Sequence, residues 1–201
     1  MKSKSARAAK TGAAGQSPAD EMDGGLLWRG DGMLPIVGLG ASATGIAALQ
    51  EFFTAMPVDS GTAFVVIMHL SPLHESTLAD LFQRPTAMPV VADGVTVEPN
   101  AVHVIPPAKF LAAVDGHLGL VDAEEQRGKR AAVDYFFRTP AETHGAQALA
   151  VVLSGTGGDG ALGLKRIKEL GGLTIAQNPN EAEHPEMPRS AIATRVVDWI
   201  L

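Results

Sequence analysis

Three side chains capable of chemistry follow apolar runs in this chain. Ser42 comes a few residues after 34-LPIV-37, His69 closes 63-AFVVIMH-69, and Asp159 lies in the glycine-rich turn after 148-ALAVVLS-154. A hydroxyl, an imidazole and a carboxylate together make a nucleophilic hydrolase. The serine oxygen is a poor nucleophile until a base takes its proton, and imidazole titrates near the working pH. A carboxylate on the far ring nitrogen holds the tautomer and stabilises the imidazolium. Ser42 also opens a helical pattern, whose first backbone N–H groups are available to a developing oxyanion.

The turn that carries Ser42 admits a second chemistry. Gly38-x-Gly40-x-x-Ala43 fits the dinucleotide fingerprint, in which glycines let a pyrophosphate approach the backbone at a helix N-terminus. That fold needs an acidic residue at the end of its second strand, and His69 occupies the position. No Lys follows the glycines, which argues against a phosphate loop. Local capping is a third reading, with Ser42 and Asp159 as N-caps of the helices that follow them and His69 an ordinary strand-end histidine. His69 and His74 are poorly spaced for a shared metal, since i,i+5 does not share a helix face. Convergence of all three residues on strand ends favours the hydrolase, with no cofactor and no metal expected.

These residues need a scaffold that alternates strands and helices. After Leu34, Ile46, Leu49 and Phe53 have helical spacing, as do Leu78, Leu81 and Phe82. Short strands are expected at 88-MPVVA-92 and 101-AVHVI-105. The runs 110-FLAAV-114 and 117-HLGLV-121 flank Asp115-Gly116, a hairpin signal. A helix is expected over 132–144, a strand buried on both faces at 148–154, and a helix from Ala161 to Leu170 stopped by Gly171-Gly172. The strand 173-LTIAQ-177, a short helix near Ser190 to Thr194 and a final apolar segment follow. The pattern predicts an α/β fold, doubly wound, with a mostly parallel sheet flanked by helices and an antiparallel hairpin.

Composition narrows the partners. The 201 residues suffice for one domain and a tail, and 46% are apolar. Residues 1–33, rich in Ala, Gly, Ser and Lys, read as a disordered tail, and 34–201 as the catalytic domain. A net charge of −6 argues against a nucleic-acid partner. There is no cysteine, so disulfides and thiolate chemistry are excluded. No apolar run approaches the roughly 20 residues of a membrane span, and no apolar stretch follows the basic N-terminus. The expectation is a cytoplasmic protein without membrane insertion.

The stretches 36-IVGLGASATG-45, 65-VVIMHLSP-72, 104-VIPP-107, 133-VDYFFRT-139, 153-LSGTGGDGALG-163, 175-IAQ-177 and 187-MPRSAI-192, in this order, resemble the catalytic domain of the chemotaxis protein-glutamate methylesterase (CheB) family. The wording of 68-MHLSP-72 and of the second glycine turn is nearest the branch fused to receptor methyltransferases. The resemblance implies hydrolysis of glutamyl methyl esters on the cytoplasmic helices of chemoreceptors, often with deamidation of glutamines, and a methyltransferase partner. It implies Ser42 as nucleophile, His69 as general base and Asp159 as orienting acid, with the backbone N–H groups of Ala43 and Thr156 forming the oxyanion hole. Thr156 replaces the methionine common in the family, a change that spares a backbone donor. Arg138 and Arg189 match family arginines near the cleft and are candidates for substrate binding. The residues before Leu34 are too few for a receiver domain, so phosphorylation in cis is not expected to be encoded here. With no methyltransferase domain following either, a free-standing catalytic domain or a piece of a fusion is expected.

Overall fold

In a computed structural model, which describes residues 33–69, 78–91, 96–104, 109–114, 117–122 and 131–201, alternation of strand and helix is the organising feature. The elements in chain order are β1 (Ile36–Ser42), α1 (Ile46–Ala55), β2 (Ala63–His69), α2 (Leu78–Gln83), β3 (Val90–Val91) and β4 (Ala101–Val104). The hairpin strands β5 (Lys109–Val114) and β6 (His117–Asp122) come next, then α3 (Ala132–His144) and β7 (Ala148–Val152). The chain continues through α4 (Ala161–Glu169), β8 (Leu173–Ala176), α5 (Glu186–Ala193) and β9 (Trp199–Ile200). The expected tail falls outside the described residues except for Met33, and so does His74.

A seven-stranded sheet runs β3-β4-β2-β1-β7-β8-β9, and every pairing in it is parallel. The hairpin forms its own two-stranded sheet, with Val114 opposite His117. From β1 the chain winds to one side through β2 and β4, then returns to β7 on the other side of β1. The loops after β1 and β7 therefore diverge to opposite faces and leave a crevice at the carboxyl ends of these two strands, where doubly wound sheets bind ligands.

Each face has its own core, sorted by the two-residue period of the strands. Val37, Leu39 and Ala41 of β1 join Leu49 and Phe53 of α1 and Phe82 of α2 in one cluster. Its aromatic rings meet edge to face, as Phe53 does with Phe64 and Phe82. On the opposite face Ile36 packs with Val133, Phe136 and Phe137 of α3 and Leu164 and Ile167 of α4. Phe136 and Phe137 are fully buried, each burial being favourable by about 1.5–3 kcal/mol.

Pro140 lies inside α3, where its missing N–H would leave the Phe136 carbonyl without its helical donor. Thr139 Oγ1 supplies a replacement, donating to that carbonyl at 2.8 Å, and also accepts the Ala113 N–H at 2.8 Å. The same hydroxyl thus repairs the helix and ties the hairpin to it.

Two local expectations change. The last helix begins at Glu186 rather than near Ser190, because Pro188 falls in its first turn, where a missing N–H costs nothing. Strand β3 begins at Val90 rather than at Met88, whose N–H turns back to Thr86 Oγ1 at 3.1 Å, while the Val90 N–H goes to Gln83 Oε1 at 3.0 Å; Ala92 lies outside the described residues.

Candidate active site

Ser42 is the last residue of β1 and the N-cap of a single 3-10 turn, Ala43–Gly45; α1 starts only after it, with Gly45 as its N-cap. The Ser42 hydroxyl accepts the Thr44 N–H at a long 3.3 Å and shares a 2.8 Å hydrogen bond with Thr44 Oγ1. Capping is therefore part of what Ser42 does, but of a one-turn element and with a weak bond. Its own N–H donates to the Ser154 carbonyl at 3.2 Å, and the Leu153 N–H donates to Gly40 at 2.9 Å. These bonds lock the ends of β1 and β7 together where the sheet gives way to the turns.

The fingerprint glycines have another explanation than pyrophosphate. Gly38 and Gly40 lie inside β1, on the face that receives α3. A Cβ at Gly40 would stand 2.3 Å from Val133 Cγ1, and one at Gly38 would stand 2.8 Å from a Phe137 ring carbon. The space a nucleotide would approach is filled by the helix.

His69 ends β2, and its Cα is the register partner of Ser42. Neighbouring strands are about 4.8 Å apart, so residues 27 positions apart in sequence become lateral neighbours at the carboxyl edge. Asp159 arrives from the turn after β7. It does not cap α4, whose N-cap is Gly160 in the left-handed region at φ 95°. Instead its carboxylate reaches across to α3, Oδ2 accepting the Val133 N–H at 3.1 Å and Oδ1 the Asp134 N–H at 2.9 Å.

Between these elements lies a cleft of about 460 Å³. Ala41 and Ser42 form one side, residues 156 to 159 the other, and Val133 and Met187 complete the lining. Thr156 and Asp159 thus share one cleft with Ser42, and Ala43 adjoins Ser42 in the chain. The α5 segment braces this wall: Met187 N–H donates to Gly155 at 2.9 Å, Gly155 N–H to His184 at 2.9 Å, and His184 N–H to Ser154 Oγ at 2.9 Å. Arg138 and Arg189 are both exposed and neither lines the cleft. Neither has a carboxylate partner among the described residues.

Sequence reasoning missed Thr44, Val133, Asp134 and Met187. Met187 and Asp134 lie in recognisable motifs, yet nothing local shows what they face. Asp134 is buried, and its Oδ1 accepts the Gly163 N–H at 2.7 Å. Burial pushes its carboxyl above the usual range, the Gly163 N–H opposes that shift, and the charge of Asp159 adds to it. Among the described residues no group of acidic, histidine or cysteine side chains is arranged to hold a metal, and no helix is long and apolar enough to cross a membrane.

Comparison with known proteins gives these features a context. A family model described as CheB methylesterase matches residues 37–201. A putative protein-glutamate methylesterase/protein-glutamine glutaminase of Leptospira interrogans is 30% identical over 81% of this chain and 86% of its own length. A protein-glutamate methylesterase/protein-glutamine glutaminase of Cupriavidus pinatubonensis is 34% identical over 83% of this chain and 50% of its own. An uncharacterized 104.1 kDa protein of Rhodobacter capsulatus is 42% identical over 62% of this chain, which spans only 13% of that relative. Among solved structures, the Thermotoga maritima CheB methylesterase catalytic domain superposes with a TM-score of 0.76 at 27% identity, covering 84% of this chain and 93% of that one.

Proposed function

Because the chain belongs to the CheB methylesterase family, we propose that the cleft between β1 and β7 hydrolyses methyl esters of glutamate side chains, with Ser42 as nucleophile. The observation that carries this reading is the register of β1 on β2, which sets Ser42 beside His69, together with Asp159 in the same cleft as Ser42. His69 takes the Ser42 proton as Oγ attacks the ester carbonyl carbon, and the tetrahedral oxyanion is held by the N–H groups of Ala43 and Thr156. The C–O bond to the methoxy group then breaks, and His69 returns the proton to release methanol. Water, deprotonated by the same imidazole, attacks the acyl-enzyme, frees the glutamate and restores the serine. Asp159 orients the imidazole throughout. No cofactor enters this sequence.

The names of the Leptospira and Cupriavidus relatives support protein-bound glutamate as substrate and glutamine deamidation as a second reaction. A cleft open at the carboxyl edge of the sheet suits a side chain presented by a receptor helix, with Arg138 and Arg189 on the surface to meet flanking acidic groups. Similarity to one segment of the 104.1 kDa Rhodobacter protein supports a place near the fused branch, with a methyltransferase as partner.

The test is methanol release from a methylated chemoreceptor helix, with fluorophosphonate labelling of Ser42. Free methyl glutamate should be a poor substrate, since remote binding energy is missing. Comparable kcat/KM for the free ester and the helix would refute a protein substrate, and absence of both labelling and turnover would refute the hydrolase.

A further inference from the structure

Asp159 stands in a turn with little intrinsic rigidity. Residues 156 to 158 are exposed, and Gly157 and Gly160, flanking it, have φ of 85° and 95°. Its carboxylate is steadied by α3 through the N–H groups of Val133 and Asp134. That helix in turn reaches back, since Asp134 accepts the N–H of Gly163, in the first turn of α4, at 2.7 Å. Each carboxylate therefore caps the helix that carries or follows the other. Asp159, just before the N-cap of α4, caps α3, and Asp134, in the first turn of α3, caps α4.

We infer that Asp134 is a positioning residue for the reaction, its carboxylate locking the α4 entry turn against α3 so that Asp159 is held at one orientation in the cleft. The inference rests on the reading of Asp159 as the orienting acid. Asp134 itself does not line the cleft, so it acts through Asp159 and not on substrate. A cap needed for stability alone is served by Asn or Ser as well as by Asp. A second carboxylate, buried and beside the first, carries a desolvation and repulsion cost that a neutral cap avoids. What the buried carboxylate adds is a short, charge-assisted hold on the Gly163 N–H at 2.7 Å, in the first turn of α4.

The experiment is a double-mutant cycle on the full chain, reading methanol release from a methylated receptor helix at a temperature where unfolding curves show every variant folded. Asp134→Ala should lower kcat by roughly 10- to 100-fold, the scale of an angstrom-sized misplacement, with KM changed less than about twofold. Asp134→Asn, which keeps an acceptor for Gly163, should recover part of that loss. It also carries the cycle if the alanine variant does not fold. In an Asp159→Asn background either change should cost less than about twofold more, because the group being positioned is already gone. An unchanged kcat in folded Asp134→Ala enzyme would reduce the residue to a structural cap and overturn the inference. So would an equal loss in both backgrounds, or a raised KM at constant kcat. If Asp159→Asn alone keeps near-normal activity, the orienting-acid reading fails and the inference falls with it. Active Asp134 variants beside an inactive Asp159→Asn enzyme overturn the inference alone.

Discussion

The two turns that form the cleft are both glycine-rich, yet Gly38 and Gly40 of the first and Gly157 of the second answer different physical demands. In the first, 36-IVGLGASATG-45, Gly38 and Gly40 have ordinary extended backbone inside β1 and are small because α3 lies on them. In the second, 154-SGTGGDG-160, Gly157 and Gly160 take positive φ, and Gly157 has nothing within 4 Å of where a Cβ would stand. Gly38 and Gly40 need the absence of a side chain, as does Gly155 of the second turn against Met187, whereas Gly157 needs a backbone that side chains resist. A glycine motif therefore identifies a phosphate cradle only where the space above it is empty, and above Gly40 it is occupied by Val133.

The largest effect expected separates the chemistry of the two turns from their shape. Ser42→Ala should abolish fluorophosphonate labelling and lower kcat by roughly 10⁴-fold or more, with little change in unfolding midpoint, because its capping bond is long. His69→Ala should be similarly severe. Asp159→Asn should lose activity on the same scale and also about 1 kcal/mol of stability, since the amide keeps one acceptor oxygen and turns an N–H donor toward the second α3 N–H. Folded Asp159→Asn enzyme with near-normal turnover would remove that residue from the mechanism.

Glycine substitutions test the comparison directly. Gly40→Ala drives a Cβ to within 2.3 Å of Val133 Cγ1 and should cost about 1–3 kcal/mol by overpacking. Val133→Ala should return part of that loss when combined with it, and strictly additive unfolding free energies would show that the steric account is wrong. Gly157→Ala should cost about 1–2 kcal/mol through backbone strain alone. There the rescue is by residue type: Gly157→Asn should be milder than Gly157→Ala, since Asn tolerates the left-handed region. Equal destabilisation by the two would argue against a conformational cause.

The smallest effect is in pH, and it lies away from both turns. Burial pushes His103 and His144 below the ordinary histidine value. Their contribution to stability is therefore full above the unfolded pKa of about 6.5 and is lost as pH falls through the lowered folded values. Unfolding midpoints measured from pH 7 to 5 should fall, and His144→Gln should flatten the decline. Gly40→Ala and Gly157→Ala should shift the whole curve without altering its slope; a changed slope would mean that the turns couple to the buried histidines.

Much of this architecture was legible in the sequence because it depends on local periodicity. The continuous apolar run from Ala148 marks a strand covered on both faces, Asp115-Gly116 marks the hairpin, and the spacing of Leu164 and Ile167 marks α4. Chemically capable residues after such runs, and motifs in family order, identify the strand ends as the place to look. Tertiary structure alone decided what those residues touch. That Asp159 caps α3 and not its own helix, that Gly38 and Gly40 make room for Phe137 and Val133, and that Asp134 reaches Gly163 are contacts between segments about 25 to about 100 positions apart. Sequence spacing reports which side of its own helix or strand a residue occupies, whereas its partner across the core depends on how two elements cross, and that is settled only when both are packed against the same sheet.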